Sequence, residues 1–284
     1  MFPVFLKLNV LGHEIPFHSY GFFLGLAFFL GAQLCLFLAA KDGLPRASVV
    51  RLACGVIAAG YVGGHVYTVA TDPEGRLWSG AGFTFYVSAL SGAAAAYPLC
   101  RWLSLPFAKM TDAGAPALAL AHGTGRIGCF LAGCCFGVPS EHGVCFPRES
   151  PAFMEQARLG LVNGAVAAHS LPVVPVQLIE AGYDLVLSLA LATYLVRARP
   201  RAGTAFLLYL VAYGTARAVL ERFRADPNRG LVLGVSLSTF LGIATALAAL
   251  VLLAPPLARR RASREGTAGA PGRNHLDSPT EGTS

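Results

Sequence analysis

The sequence predicts an all-α, polytopic membrane protein of about seven transmembrane helices with a small external cap. Three observations carry that prediction: a low charge content, a series of long charge-free runs, and a one-sided distribution of basic residues. Of 284 residues, 55% are hydrophobic and 13% charged, with a mean hydropathy of +0.57. A soluble domain carries roughly a quarter charged residues. Too little polar material remains to cover a globule in water, so part of the solvent must be lipid. The formal charge of +7 lies mainly in short loops and a tail. That suits an anionic membrane surface, and no nucleic-acid partner is expected.

The runs define the elements in order. Residues 15–40 contain no Asp, Glu, Lys or Arg and are too long for a signal-peptide core, so a retained helix is expected. Runs 52–70 and 77–100 follow, the second spanning from about residue 83. Run 113–136 is broken by Arg126 alone, run 173–196 carries Glu180 and Asp184, run 203–220 carries Arg217, and run 231–258 is charge-free. Placing the N-terminus outside puts Lys41, Arg46, Arg51, Arg101, Lys109, Arg197, Arg199, Arg201, Arg259, Arg260, Arg261 and Arg264 inside, and leaves fewer basic residues outside. The positive-inside rule therefore predicts a multi-pass protein with the N-terminus outside and the C-terminus cytoplasmic. Loop 137–172 becomes the external cap. Residues 1–261 read as one membrane-embedded domain, and 262–284, rich in Gly, Ser, Thr and Pro, as a disordered cytoplasmic tail.

An ionisable side chain at mid-bilayer costs about 2.5–3.5 kcal/mol on insertion scales, so each one within a run points to a site. Tyr213, Arg217 and Glu221 recur at i, i+4 and i+8, with Arg224 beyond, and would share one helix face. An Arg217–Glu221 pair that only neutralises itself is the alternative. Gln177, Glu180 and Asp184, at i, i+3 and i+7, could accept from arginines across the bundle or serve as interhelical hydrogen bonds. Arg126 lies among Gly123, Gly125, Gly128, Gly133 and Gly137, too many glycines for helix propensity alone. A guanidinium with room around it offers a bidentate site for a phosphate group. His122, one turn earlier, reads as a packing or hydrogen-bonding residue.

Cys129, Cys134, Cys135 and Cys145 cluster in sequence. No C-x-x-C and no zinc-finger spacing is present, and adjacent cysteines rarely hold one ion, so neither a metal nor a cofactor is expected. A disulfide from one of them to Cys145 is open if the loop faces outward.

Gly125-Arg126-Ile127-Gly128-Cys129-Phe130-Leu131-Ala132-Gly133 resembles the signature of the prolipoprotein diacylglyceryl transferase family. His18-Ser19-Tyr20-Gly21, Gly82-Phe83-Thr84-Phe85-Tyr86, Pro175-Val176-Gln177-Leu178-Ile179-Glu180 and the spaced Tyr213, Arg217, Glu221 and Arg224 are similar to further family elements in the same order. The resemblance implies a seven-helix bacterial inner-membrane enzyme. Such an enzyme moves the diacylglyceryl group of phosphatidylglycerol onto the lipobox cysteine thiol of a prolipoprotein and releases glycerol phosphate. It implies catalytic roles for Arg126, Arg217, Glu221 and Tyr86. It also implies substrate binding by Arg126, Tyr20, Tyr213, Arg224, Gln177 and Glu180, with membrane lipids as further partners. The family commonly has His at the position of Tyr86, Asn at Cys129, Glu at Cys134 and Arg at His65. A phenol of ordinary pKa about 10 is a poor base at neutral pH, which leaves thiol activation open among Tyr86, His65, His122 and Glu221. A transferase with another thiol acceptor, or a phospholipid-binding or transport protein, would use the same arginines.

Overall fold

A computed structural model describes residues 4–10, 13–71, 84–225, 231–232 and 235–268. Among them, seven helices of 17 residues or more match the seven runs: α1 (Ser19–Lys41), α2 (Arg46–Thr71), α3 (Thr84–Trp102), α4 (Phe107–Ala132), α6 (Val176–Ala198), α7 (Thr204–Leu220) and α8 (Leu237–Ala268). A shorter helix, α5 (Pro151–Arg158), lies in the loop expected to form a cap. Of the expected tail, residues 262–268 continue α8 as helix, and residues 269–284 fall outside those described. Three helices, α1, α2 and α6, are long and apolar enough to cross a membrane by length and composition.

The chain is mostly helical, but the all-α expectation needs correcting at the N-terminus. Strands β1 (Val4–Val10) and β2 (His13–His18) pair antiparallel before α1, so residues 15–18 are strand and not helix. A charge-free run reports compatibility with lipid, and Pro16, with no backbone N–H and a fixed φ, fits an extended segment better than a helix interior. Likewise β4 (Leu231–Val232) and β5 (Val235–Ser236) form a short hairpin, and α8 starts later than its run. Charge-free runs also understate helices that begin in polar loops. The α4 helix starts at Phe107, so it includes Lys109 and Asp112. Asp112 has a structural task there: its carboxylate accepts from the backbone N–H groups of Gly203 and Phe206 at 2.7 and 2.9 Å, capping α7 from a neighbouring helix.

Neighbouring helices run antiparallel, and small residues set their closest approaches. Helix α4 is the hub, packed against α1 and α6. A Cβ on Gly31 would meet Ala117 O at 3.1 Å, and one on Gly128 would meet Phe23 Cβ at 2.8 Å, so α1 lies close along α4 at both ends. On the other side, Gly123 faces Ala181 and Asp184 of α6, and Ser188 Oγ donates to Pro116 O at 2.8 Å. Helices α2 and α3 pair, as do α7 and α8, the latter through facing Gly214 and Gly242. Small residues allow this because apolar lipid provides no hydrophobic drive between helices, and packing must supply the attraction. Large apolar side chains such as Phe29, Phe37, Val186, Leu189 and Val251 are exposed on the outside of the bundle. On a protein in water such a belt would aggregate; in a bilayer it is the lipid-facing surface.

The cap is built on one end of this bundle. Strand β3 (Pro139–Val144) and the segment before α6 meet through bridges at Val173, and α5 is capped at its N-terminus by Ser150 Oγ accepting from Phe153 N. Fully buried Phe146 packs with Phe136, Ala152 and Val173 beneath it. Val138 N donates to Phe223 O at 2.8 Å and Ala225 N to Phe136 O at 3.2 Å, which ties the cap to the end of α7.

Candidate active site

Four elements meet under the cap: the start of α1, the last turns of α4, the first turns of α6 and the end of α7. Because α4 and α6 are antiparallel and Gly123 lets them nearly touch, residues near 126 on one face residues near 180 on the other. Gly128 does the same for α1, whose Tyr20 backbone lies 3.6 Å from where a Gly128 Cβ would be. Gly125, between them, has nothing within 4 Å of its Cβ position. Of the three glycines nearest Arg126, Gly123 and Gly128 thus seat helices and Gly125 faces open space.

Glu180, 2% exposed, is the centre of the cluster. Arg126 reaches it from α4, with Nη2 donating to Oε1 at 3.1 Å and Nε 2.9 Å from Oε2. Arg217 reaches the same Oε1 from α7, Nη1 donating at 3.4 Å. Arg217 Nη2 also pairs with Glu221 Oε2 at 2.9 Å and donates to Ser238 Oγ at 3.4 Å. The Arg217–Glu221 pair foreseen on α7 therefore exists, but it is one arm of an interhelical network and not a closed unit. Arg126 Nη1 has no partner among the described residues.

A second carboxylate lies deeper. His122 Nδ1 is 2.7 Å from Asp184 Oδ2, while its Nε2 faces Tyr213 OH at 3.4 Å and Glu180 Oε1 at 4.0 Å. The rings of His122 and Tyr213 meet edge to face at 5.2 Å. Of the three acceptors expected on α6, only Glu180 serves the arginines. Asp184 holds His122, and Gln177 donates through Nε2 to Cys134 O at 2.8 Å.

The single helical stripe expected from Tyr213 to Arg224 needs a correction. Helix α7 ends at Leu220, Glu221–Phe223 form a 3-10 turn, and Arg224 is extended at φ −91°, ψ 142°. Tyr213 and Arg217 project from the helix, Glu221 folds back on Arg217, and buried Arg224 pairs through its backbone with Gly137 of the cap. Tyr20 is half-exposed at the first turn of α1. Tyr86 lies in the first turn of α3, with its side chain outside the described residues. His65 stacks on Tyr61 of its own helix.

Spacing alone gave no sign of how the cysteines assemble. Gly133, at φ 75°, closes α4 in a left-handed turn, Cys134 N donates to Cys129 O at 3.1 Å, and Cys135 is also left-handed at φ 57°. This reversal brings the Sγ atoms of Cys129, Cys134 and Cys135 within 4.8 Å of one another. All seven cysteines are free, so the pairing to Cys145 is not formed. Ser238 was also missed; its only signal was a serine-rich entry to the last helix.

A helical bundle with an apolar outer belt, and with arginines and carboxylates gathered at one capped end, is a membrane protein with a buried charged cluster. The family model described as prolipoprotein diacylglyceryl transferase matches residues 6–255. A phosphatidylglycerol–prolipoprotein diacylglyceryl transferase of Clostridium tetani is 30% identical, over 86% of this chain and 94% of its own. The second such transferase of Clostridium perfringens is 30% identical, over 81% of this chain and 87% of its own. That of Leifsonia xyli is 25% identical, over 75% and 66%. The chain belongs to the prolipoprotein diacylglyceryl transferase family.

Proposed function

We propose that this protein transfers the diacylglyceryl group of phosphatidylglycerol to the lipobox cysteine thiol of bacterial prolipoproteins, releasing glycerol phosphate. The relatives' names supply the reaction. The observation that carries it here is that Arg126 and Arg217 meet at one buried carboxylate, with Arg126 donors to spare and open space beside Gly125.

The chemistry follows from those groups. The acceptor sulfur attacks the diacylglyceryl carbon, and negative charge builds on the phosphate oxygen that leaves. Arg126 and Arg217 bind the lipid phosphate and stabilise that charge in a site of low dielectric. Glu180 and Glu221 hold the guanidinium planes, so little reorganisation is needed as the bond breaks. Tyr20, Tyr213, Gln177 and Arg224 line the head-group region, and Tyr86 is assigned to the reacting centre by its place in the family motif.

The bundle crosses the bacterial inner membrane seven times in this reading, with the N-terminus outside, the C-terminus cytoplasmic and residues 1–261 as the embedded domain. Two observations support it. Short connections place Lys41, Arg46, Arg101 and Lys109 together at one end, and the arginine cluster sits at the other, under the cap. By the positive-inside rule the site then faces the outer leaflet, where a prolipoprotein emerges.

The test is transfer from phosphatidylglycerol vesicles to a lipobox peptide, read as the mass of the thioether product. Product with the cysteine peptide and none with its serine analogue supports the reading. Phosphatidylglycerol binding without product favours a lipid-binding protein, and product only with small thiols favours another acceptor.

A further inference from the structure

The geometry points to Cys129, Cys134 and Cys135 as a three-thiolate site for a zinc ion whose fourth position takes the acceptor thiol. This rests on the transferase reading and deepens it by naming the group that activates the nucleophile. It also departs from what cysteine spacing alone suggested.

Three observations lead there. First, the thiols converge: the three Sγ atoms lie within 4.8 Å, and a tetrahedral ion bonded at about 2.3 Å to each sulfur needs them about 3.8 Å apart, a rotamer adjustment away. Adjacent residues normally point to different sides; the left-handed backbone at Cys135, following that at Gly133, brings Cys134 and Cys135 to the same side. Gln177 fixes the turn by donating to the Cys134 carbonyl. Second, positive charge lies close by. A zinc ion with three thiolates carries one net negative charge, two once an acceptor thiolate joins; Arg126 lies one turn before Cys129 on α4, and Arg224 bridges Gly137 just beyond Cys135. The other ligand-type cluster, His122, Glu180 and Asp184, is already engaged, Glu180 by Arg126 and Arg217 and Asp184 by His122.

Third, the reaction needs such a group. Glu221 is bound to Arg217, His122 is bound to Asp184 a turn deeper than Arg126, His65 stacks on its own helix, and a phenol such as that of Tyr86 is a poor base at neutral pH. A free thiol of pKa about 8.5 is only about 3% ionised at pH 7, whereas a metal-bound thiol is deprotonated outright. Three protein ligands with an open fourth position is the arrangement of a zinc site that acts on a substrate.

The step balances without an oxidant. The acceptor thiol loses its proton to water at the membrane surface and binds as the thiolate. A sulfur lone pair forms the C–S bond while the C–O bond to phosphate breaks. That electron pair leaves on glycerol phosphate, held by Arg126 and Arg217, and the neutral thioether, a weak ligand, dissociates.

The experiment uses full-length protein in detergent, stripped of metal by chelation and reloaded with Co²⁺ as a spectroscopic substitute or with Zn²⁺ for transfer. Support is one tightly held Co²⁺ per chain with sulfur charge-transfer and tetrahedral ligand-field bands, shifted by a cysteine lipobox peptide but not by its serine analogue. Chelation should lower transfer at least about tenfold, approaching the roughly thirtyfold set by the free thiolate fraction, and Zn²⁺ should restore it. Transfer undiminished in stripped protein overturns the inference and leaves the transferase reading intact. No Co²⁺ retention by folded protein overturns it as well. A cobalt spectrum unmoved by the cysteine peptide overturns the thiol-binding role. If no form transfers while the peptide shift persists, the transferase reading fails and the metal–thiol site stands. Cys134→Ala, checked for wild-type unfolding temperature, should lose the tetrahedral bands.

Discussion

Arg126 of α4 and Arg217 of α7 share one carboxylate, that of Glu180 on α6, and both guanidiniums approach the same Oε1. Glu221 holds Arg217 alone, so Glu180 is the buried carboxylate that competes with a lipid phosphate for both guanidiniums. Glu180→Gln should therefore separate binding from turnover. Phosphatidylglycerol affinity should hold or tighten as a competing carboxylate is lost, while kcat falls because the guanidiniums are no longer aimed. Stability should drop by about 3 kcal/mol, the scale for breaking a buried ion pair. Binding by equilibrium dialysis, kinetics and thermal unfolding in detergent read the three effects; weakened binding at unchanged kcat would contradict the assignment.

Arg217 makes its contacts through two nitrogens to three partners, Glu180, Glu221 and Ser238. A lysine keeps the charge but not the fork. Arg217→Lys should lose nearly as much kcat as Arg217→Ala, about a hundredfold to a thousandfold, the scale for removing one donor to a developing oxyanion. Rescue by lysine to within a few-fold would reduce Arg217 to a point charge.

The glycines around Arg126 should respond unequally. A Cβ at Gly128 enters Phe23 at 2.8 Å, so Gly128→Ala should destabilise the α1–α4 contact by about 1–3 kcal/mol. Gly125→Ala meets nothing within 4 Å and should be neutral or mildly stabilising, about 1 kcal/mol at most from helix propensity. Gly125→Leu, filling that space, should leave the unfolding temperature near wild type yet lower transfer. Paired thermal scans and assays distinguish the three.

Asp112→Ala removes the cap that α4 provides to α7, at Gly203 N and Phe206 N. It should cost about 1–2 kcal/mol of stability with kcat unchanged, because the contact lies at the end opposite the arginines. A kcat loss without a stability loss would mean that this end is coupled to the chemistry.

Much of this was legible in the sequence because bilayer cost makes intramembrane charges conspicuous: Arg126, Glu180, Asp184 and Arg217 stood out for that reason, and Arg126, Glu180 and Arg217 meet while Asp184 pairs with His122. Which acceptor meets which donor was not legible, since Asp184 and Glu180 differ only in depth along α6 and only the antiparallel crossing at Gly123 decides between them. The helical period put Arg224 on the α7 stripe, but the helix ends at Leu220 and a tighter turn follows. Asp112 was hidden by counting runs from the first uncharged residue. The three cysteines were hidden because two left-handed residues, Gly133 and Cys135, fold them together, and spacing rules assume no such turn.

The most direct measurement counts glycerol phosphate released from phosphatidylglycerol vesicles in the presence of a lipobox peptide, by wild type, Arg126→Ala and Arg217→Ala. The account predicts one glycerol phosphate for each thioether formed by wild type, none with the serine peptide, and release reduced at least about a hundredfold in either variant. Equal release by the variants, both shown to be folded, would contradict it.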